Sequence, residues 1–204
     1  MTPFTLAARP GLHNTFQMTS QSQFRNQFLI AMPALQDPNF SHTVTLLCDH
    51  SHEGAMGLII NRPTSLNLGG LAAQLGIDIG DPDMANVPVY HGGPVQPEQG
   101  FILHSPIGEW DSTMEINPQL AMTVSQDIIE AIALGVGPKH FLIALGYAGW
   151  GAGQLEEEIA TNAWLNSPAD NQIIFSTPVD ERWQAATSIL GIDLNQLSND
   201  VGHA

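Results

Sequence analysis

Residues 28–61, FLIAMPALQDPNFSHTVTLLCDHSHEGAMGLIIN, constrain the fold more than any other stretch of the chain. Three apolar runs, 28–32, 44–48 and 56–60, are separated by Pro/Asp and His/Gly punctuation. Each run is short and rich in β-branched or large apolar residues, which favours strands over helices. Pro33 lacks a ladder donor and ends the first strand. Asp37-Pro38 is an Asx cap followed by a proline, the signal for a single helical turn through Phe40. In the second run Val44, Leu46 and Cys48 alternate with Thr43, Thr45 and Leu47, so one face is buried. The 49–54 turn is short enough to pair the second and third strands antiparallel, and Pro63 closes the third. Three strands this close in sequence form a sheet nucleus.

The rest of the chain adds to that nucleus. Residues 68–75 (LGGLAAQL) form a short helix weakened by two glycines, and 76–88 an acidic loop with Asp78, Asp81 and Asp83. Val89-Tyr90 leads into a glycine turn at 91–94, and 101–104 is the returning strand. The spacing predicts an edge or irregular strand over 110–116 and a helix over 123–134, with Thr123 and Gln126 at capping-box spacing and Ser125 as a competing cap. The nearly continuous apolar run 140–146 belongs at the centre of the sheet. A helix begins near Gly153, with three glutamates, 156–158, in its first turns. Residues 172–175 read as a strand, and Thr177-Pro178-Val179-Asp180 as a helix start. Strands dominate the first half and strand–helix alternation the second, giving one α+β domain with a mixed sheet over 24–190. Residues 1–23 read as a flexible arm, with Met18 as an alternative start, and 191–204 as a loosely attached tail. No G-x-G-x-x-G follows a strand and no phosphate-binding G-x-x-x-x-G-K-S/T loop exists.

Composition narrows the partners. At 204 residues and 43% hydrophobic, the chain holds one substantial core. Five Lys+Arg stand against 20 Asp+Glu, a formal charge of -15 at pH 7, and Lys139 is the only lysine. Phosphate backbones and anionic membrane surfaces attract clustered cations, so neither nucleic acid nor a membrane is an expected partner; a basic protein partner is compatible with the field. A single cysteine forms no internal disulfide, and the sequence lacks a leader-like apolar segment, so the expected location is the cytoplasm.

Several blocks carry a resemblance: FLIAMPALQDPNF, CDHSHEGAMGLIIN followed by Arg62-Pro63, HGGPV at 91–95, FILH at 101–104, and GYAGWGAGQLEEEI at 146–159 with Ala163-Trp164. In this order, over roughly residues 24–190, they resemble the AlgH/YqgE family of bacterial proteins. The resemblance implies an α+β fold whose mixed sheet curls toward a half-barrel. It supplies no activity; one branch takes its name from a regulatory link to alginate production.

The chemical groups converge on no standard mechanism. Cys48, His50 and His52 form C-x-H-x-H, which lacks a fourth zinc ligand unless Asp49 or His91 completes it. If 48–50 stay extended, Cys48 and His50 share a face, as a metal site or a Cys–His pair requires. His91 and His104 flank the glycine turn and would face each other across a hairpin-like pair, yet no placed carboxylate or nucleophile accompanies them. Gly92-Gly93 either present N–H groups to an anion or serve a tight turn, and the turn is the simpler reading. Glu156, Glu157 and Glu158 point about 100° apart on a helix and form a solvated face. Trp150, Trp164 and Trp183 fill the core or rim a groove. No metal, cofactor or catalytic set is expected. The preferred function is a non-enzymatic adaptor or regulatory protein whose curled sheet presents a partner groove lined by Tyr147, Trp150 and the 91–95 turn, Gly92 and Gly93 included. The alternative is a small-molecule-binding protein or hydrolase with a pocket around His91, His104 and Cys48.

Overall fold

A computed structural model describes residues 23–191, so all of the arm but its last residue, the Met18 start and all of the tail but its first residue lie outside the described part. The order begins β1 (Gln27–Ala31), β2 (Val44–Ser51), β3 (Gly54–Ile59), β4 (Pro63–Asn67), α1 (Leu68–Gln74), α2 (Pro82–Ala85), β5 (Pro88–His91) and β6 (Val95–Ser105). It continues β7 (Thr113–Asn117), β8 (Leu120–Thr123), α3 (Asp127–Ala133), β9 (His140–Gly151), α4 (Gln154–Ala160), β10 (Trp164–Pro168), α5 (Asn171–Phe175) and α6 (Arg182–Ser188). This is an α+β domain built on one mixed, strongly curved, half-barrel sheet with packed helices.

The main strand order is β10-β1-β2-β3-β9-β6-β8-β7, with β4 and β5 attached beside β9. The three opening strands form as expected, and β2 and β3 pair antiparallel. The long strand β9 is the hub. One edge runs against β6; the other is shared, pairing in parallel with β5 at Ile143–Leu145 and antiparallel with β3 at Ala148–Gly151. Gly146, at φ 70°, bends the strand between these two stretches.

Period-two alternation sorts the core. Phe28 and Ile30, Leu46 and Cys48, Phe101 and Leu103, and Leu142 and Ala144 face inward with Ile173 and Ile174 of α5 and Ala186 of α6. Their neighbours Ile102 and Ile143 face outward under α1 and α3, and Leu29, Leu47 and Ala148 face outward under α4. The two ends of the curled sheet meet through side chains: Arg25 donates to the Glu115 carbonyl, and the Asn117 Nδ2 group donates to Asn26 Oδ1 at 2.7 Å.

Four local expectations are corrected. Residues 171–175 form a helix rather than a strand, because Asp170 accepts from the Gln172 N–H as an N-cap and the apolar run is too short to show its period. Thr123 ends β8 instead of capping α3, which starts at Asp127 without a side-chain cap. Thr177 donates to the Gln172 carbonyl, and a 3-10 turn over Val179–Glu181 precedes α6. Pro63 opens β4, and its ladder partner is Tyr90.

Candidate functional site

Strand β2 sets the geometry of the most tempting residues. Its register against β3 passes from Leu47 opposite Gly57 to Asp49 opposite Met56, leaving Cys48 unpaired in a bulge. The extra residue reverses the alternation. Cys48 points into the inner core, where its thiol donates to the Leu46 carbonyl at 3.6 Å. His50 points to the opposite face, where its ring meets Phe24 edge-on at 5.1 Å. The shared face that a Cys48–His50 pair needs does not form. Burial, with the Asp49 charge adding to it, pushes the Cys48 thiol far above its ordinary range.

His50 Nε2 lies 2.9 Å from Glu156 Oε1, while Nδ1 is buried without a partner. Hydrogen bonding assigns the proton to Nε2, donated to the carboxylate. The three glutamates of α4 are therefore not a uniform solvated face. Glu158 accepts from the indole N–H groups of both Trp150 and Trp164, at 2.9 and 2.8 Å, and fixes the two rings edge to face.

His91 and His104 do not face each other, because β9 runs between their strands: His91 pairs with Leu145 and His104 with Phe141. His104 is fully buried, with Nδ1 3.1 Å from the Pro106 carbonyl and Nε2 2.9 Å from Thr123 Oγ1. Nδ1–H donates to the carbonyl and Thr123 donates to Nε2, so both ring nitrogens are committed to the fold. Burial holds the His104 pKa below the ordinary histidine value despite the Pro106 carbonyl. Burial also lowers that of His91, and the nearby Arg62 charge lowers it further.

Gly92 and Gly93 serve the fold. Gly92 N–H donates to the Leu145 carbonyl at 2.7 Å, and its carbonyl accepts from Ile59 N–H at 2.9 Å. A Cβ on Gly92 would stand 2.3 Å from the Gly146 carbonyl oxygen, and one on Gly93 2.1 Å from the Tyr147 carbonyl carbon. The turn is glycine because its backbone lies against the backbone of β9.

Above this crossing lies an open groove of about 480 Å³. The bulge turns Asp49 and Ser51 toward it, and Glu53, Met56, Tyr147 and Trp150 complete its floor and rim. Of the 91–95 turn only Val95 reaches it. Sequence reasoning did not place Asp49 or Glu53 in the groove: the bulge decides the side Asp49 takes, and Glu53 lies in the turn that follows β2. Among the described residues no three His, Cys, Asp or Glu side chains gather in a metal-holding arrangement.

A family model described as AlgH-like matches residues 28–195. The chain belongs to the AlgH-like family. A UPF0301 protein of Thioalkalivibrio sulfidiphilus is 56% identical over 92% of this chain and 100% of its own length. One from Hahella chejuensis is 55% identical over 91% and 99%. The solution structure of the AlgH protein from Pseudomonas aeruginosa superposes with a TM-score of 0.74 at 47% identity, covering 91% of this chain and 99% of that one. A Corynebacterium diphtheriae crystal structure shares the fold at 18% identity and TM-score 0.62, covering 82% and 87%. The first three of these matches carry the family, and all four the fold.

Proposed function

We propose that this AlgH-like chain is a non-enzymatic adaptor or regulator in the cytoplasm, and that its Tyr147/Trp150 groove receives an extended, basic segment of a partner protein. One observation carries the reading. The reactive-looking side chains Cys48, His50 and His104 are spent on packing and hydrogen bonds, while the groove presents Asp49 and Glu53 beside aromatic surface. Carboxylates at the rim select a cationic partner, and a partly buried tyrosine supplies contact area at small entropic cost. A pocket built from His91, His104 and Cys48 has no such support, since β9 separates the two histidines and the thiol is buried.

Affinity purification at native expression tests the proposal, with Glu53→Lys and Tyr147→Ala run beside the unaltered chain. A partner carrying a basic segment should be recovered reproducibly and lost with both variants, Glu53→Lys leaving the melting temperature unchanged and Tyr147→Ala lowering it through lost packing against Phe101. Equal recovery with the variants, or no reproducible partner at all, would count against it.

A further inference from the structure

A second cavity, of about 270 Å³, lies where α5 and α6 meet the start of β9. We propose that it binds a small organic anion: a carboxylate or phosphate head carried on a flat apolar body. The described cations are Arg25, Arg62, Lys139 and Arg182, and two of these four line this one cavity in a chain of formal charge -15. No aspartate or glutamate lines it, nor the neighbouring cavity that shares its His140 and Phe175 wall.

Arg182 is the anchor. Only 5% exposed, it is held by donating to the Ile60 carbonyl and, through Nε at 3.0 Å, to the Thr177 carbonyl. Its Cζ stands 5.2 Å from the centre of the Tyr90 ring. Carbonyls and a ring face orient a guanidinium but do not cancel its charge. Buried charges are ordinarily paired. Among the described residues no carboxylate forms an ion pair with Arg182, although 20 acidic residues are present in the sequence. Burial presses against its charged form more strongly than the Tyr90 hydroxyl supports it, a pressure that an incoming anion relieves. The planar fork suits a carboxylate or a phosphate, and the cavity is of the size of the smallest ligand pockets.

Lys139 and His140 are exposed at the mouth, where a flexible ammonium can close on the same head group. The His140 and Phe175 rings lie 6.0 Å apart at 30°, and Phe141 and Tyr90 add flat apolar surface for the body of the ligand. Arg182 has structural bonds of its own, so Lys139 gives the cleaner test; it makes neither a side-chain hydrogen bond nor an ion pair among the described residues.

The experiment titrates the full chain with benzoate, phenyl phosphate and the neutral analogue phenol, read by calorimetry and by amide shifts at Leu142 and Phe175. At least one anion should bind saturably and about tenfold or more tighter than phenol. Preference for benzoate marks a carboxylate ligand, and preference for phenyl phosphate a phosphate. Lys139→Gln should weaken that anion by about threefold at unchanged melting temperature, and Arg182→Lys, which keeps the charge but loses the fork, by more. The proposal falls if neither anion saturates in the millimolar range, if phenol binds equally well, or if Lys139→Gln leaves the affinity as it was.

Discussion

Two buried side chains on this protein look reactive and are held inert by opposite shifts. The Cys48 thiol is pushed up by burial, so the thiolate that alkylating agents require is scarce at neutral pH. Its alkylation should stay slower than that of the denatured chain from pH 7 to 9, and labelling faster than that control would expose an accessible thiolate. Cys48→Ala should cost about 1 kcal/mol through lost packing, with Cys48→Ser worse because it buries a hydroxyl. His104 is shifted the other way. With its folded pKa below the unfolded value of about 6.5, its stabilisation is fully present above pH 6.5. Below that the unfolded chain takes the proton first, and stability falls by up to about 1.4 kcal/mol per pH unit as the folded pKa is approached. The gap in unfolding free energy between the native chain and His104→Asn should therefore narrow from pH 7.5 to pH 5. Denaturant melts at the two pH values measure it; a gap that is constant or widens would remove His104 from the acid response, leaving the like-signed shift of His91 to supply it.

At the scale of elements, the glycine turn between β5 and β6 and the bulge in β2 place the groove. Gly93→Ala forces a Cβ to within 2.1 Å of the Tyr147 carbonyl carbon at a φ of 155°, and neither backbone has room to yield. A loss of about 3–5 kcal/mol is expected, read as a large fall in the denaturation midpoint; a fall of a few tenths would mean that the β5–β9 crossing relaxes freely. The same elements mark what was legible in the sequence. Alternation at Val44–Cys48 identified a strand and its inward face, because burial on one side writes a two-residue period into the chain, while 28–32 and 101–104 were legible as strands only from their short apolar runs. The alternation placed Cys48 correctly and failed just beyond it, where one inserted residue reverses the faces and sends His50 to α4 instead of to the thiol. Ile173-Ile174 was misread as strand because five residues hold too little of either period. Thr123 looked like a cap because a hydroxyl before a helix usually is one, whereas here it serves His104 across two strands. Glu158 looked solvated because the two indoles it joins lie on different strands.

The whole molecule separates its charge from its fold. Arg25, Arg62 and Arg182 all donate to backbone carbonyls: Arg62 holds the 38–41 turn through Pro38 at 2.8 Å, Asn39 at 2.7 Å and Ser41 at 2.9 Å. None of these arginines forms an ion pair with a carboxylate among the described residues, where the one acid–base contact is His50 with Glu156. The arginines thus act as struts for loops and sheet ends, and the acidic residues leave a surface field of one sign. A duplex needs a row of cations spaced along its phosphates, and each contact adds to the salt dependence of binding. Here the described cations are dispersed or turned inward, and Lys139 beside Arg182 makes a pocket large enough for one small head group rather than a track. The chain free of any basic tag should therefore leave random-sequence duplex DNA unretarded at physiological salt, and lowering the salt should not bring retardation in, because the repulsion from a formal charge of -15 then reaches further. A shift that strengthens as salt is removed would show that the fold gathers cations into a surface that these arginine contacts argue against.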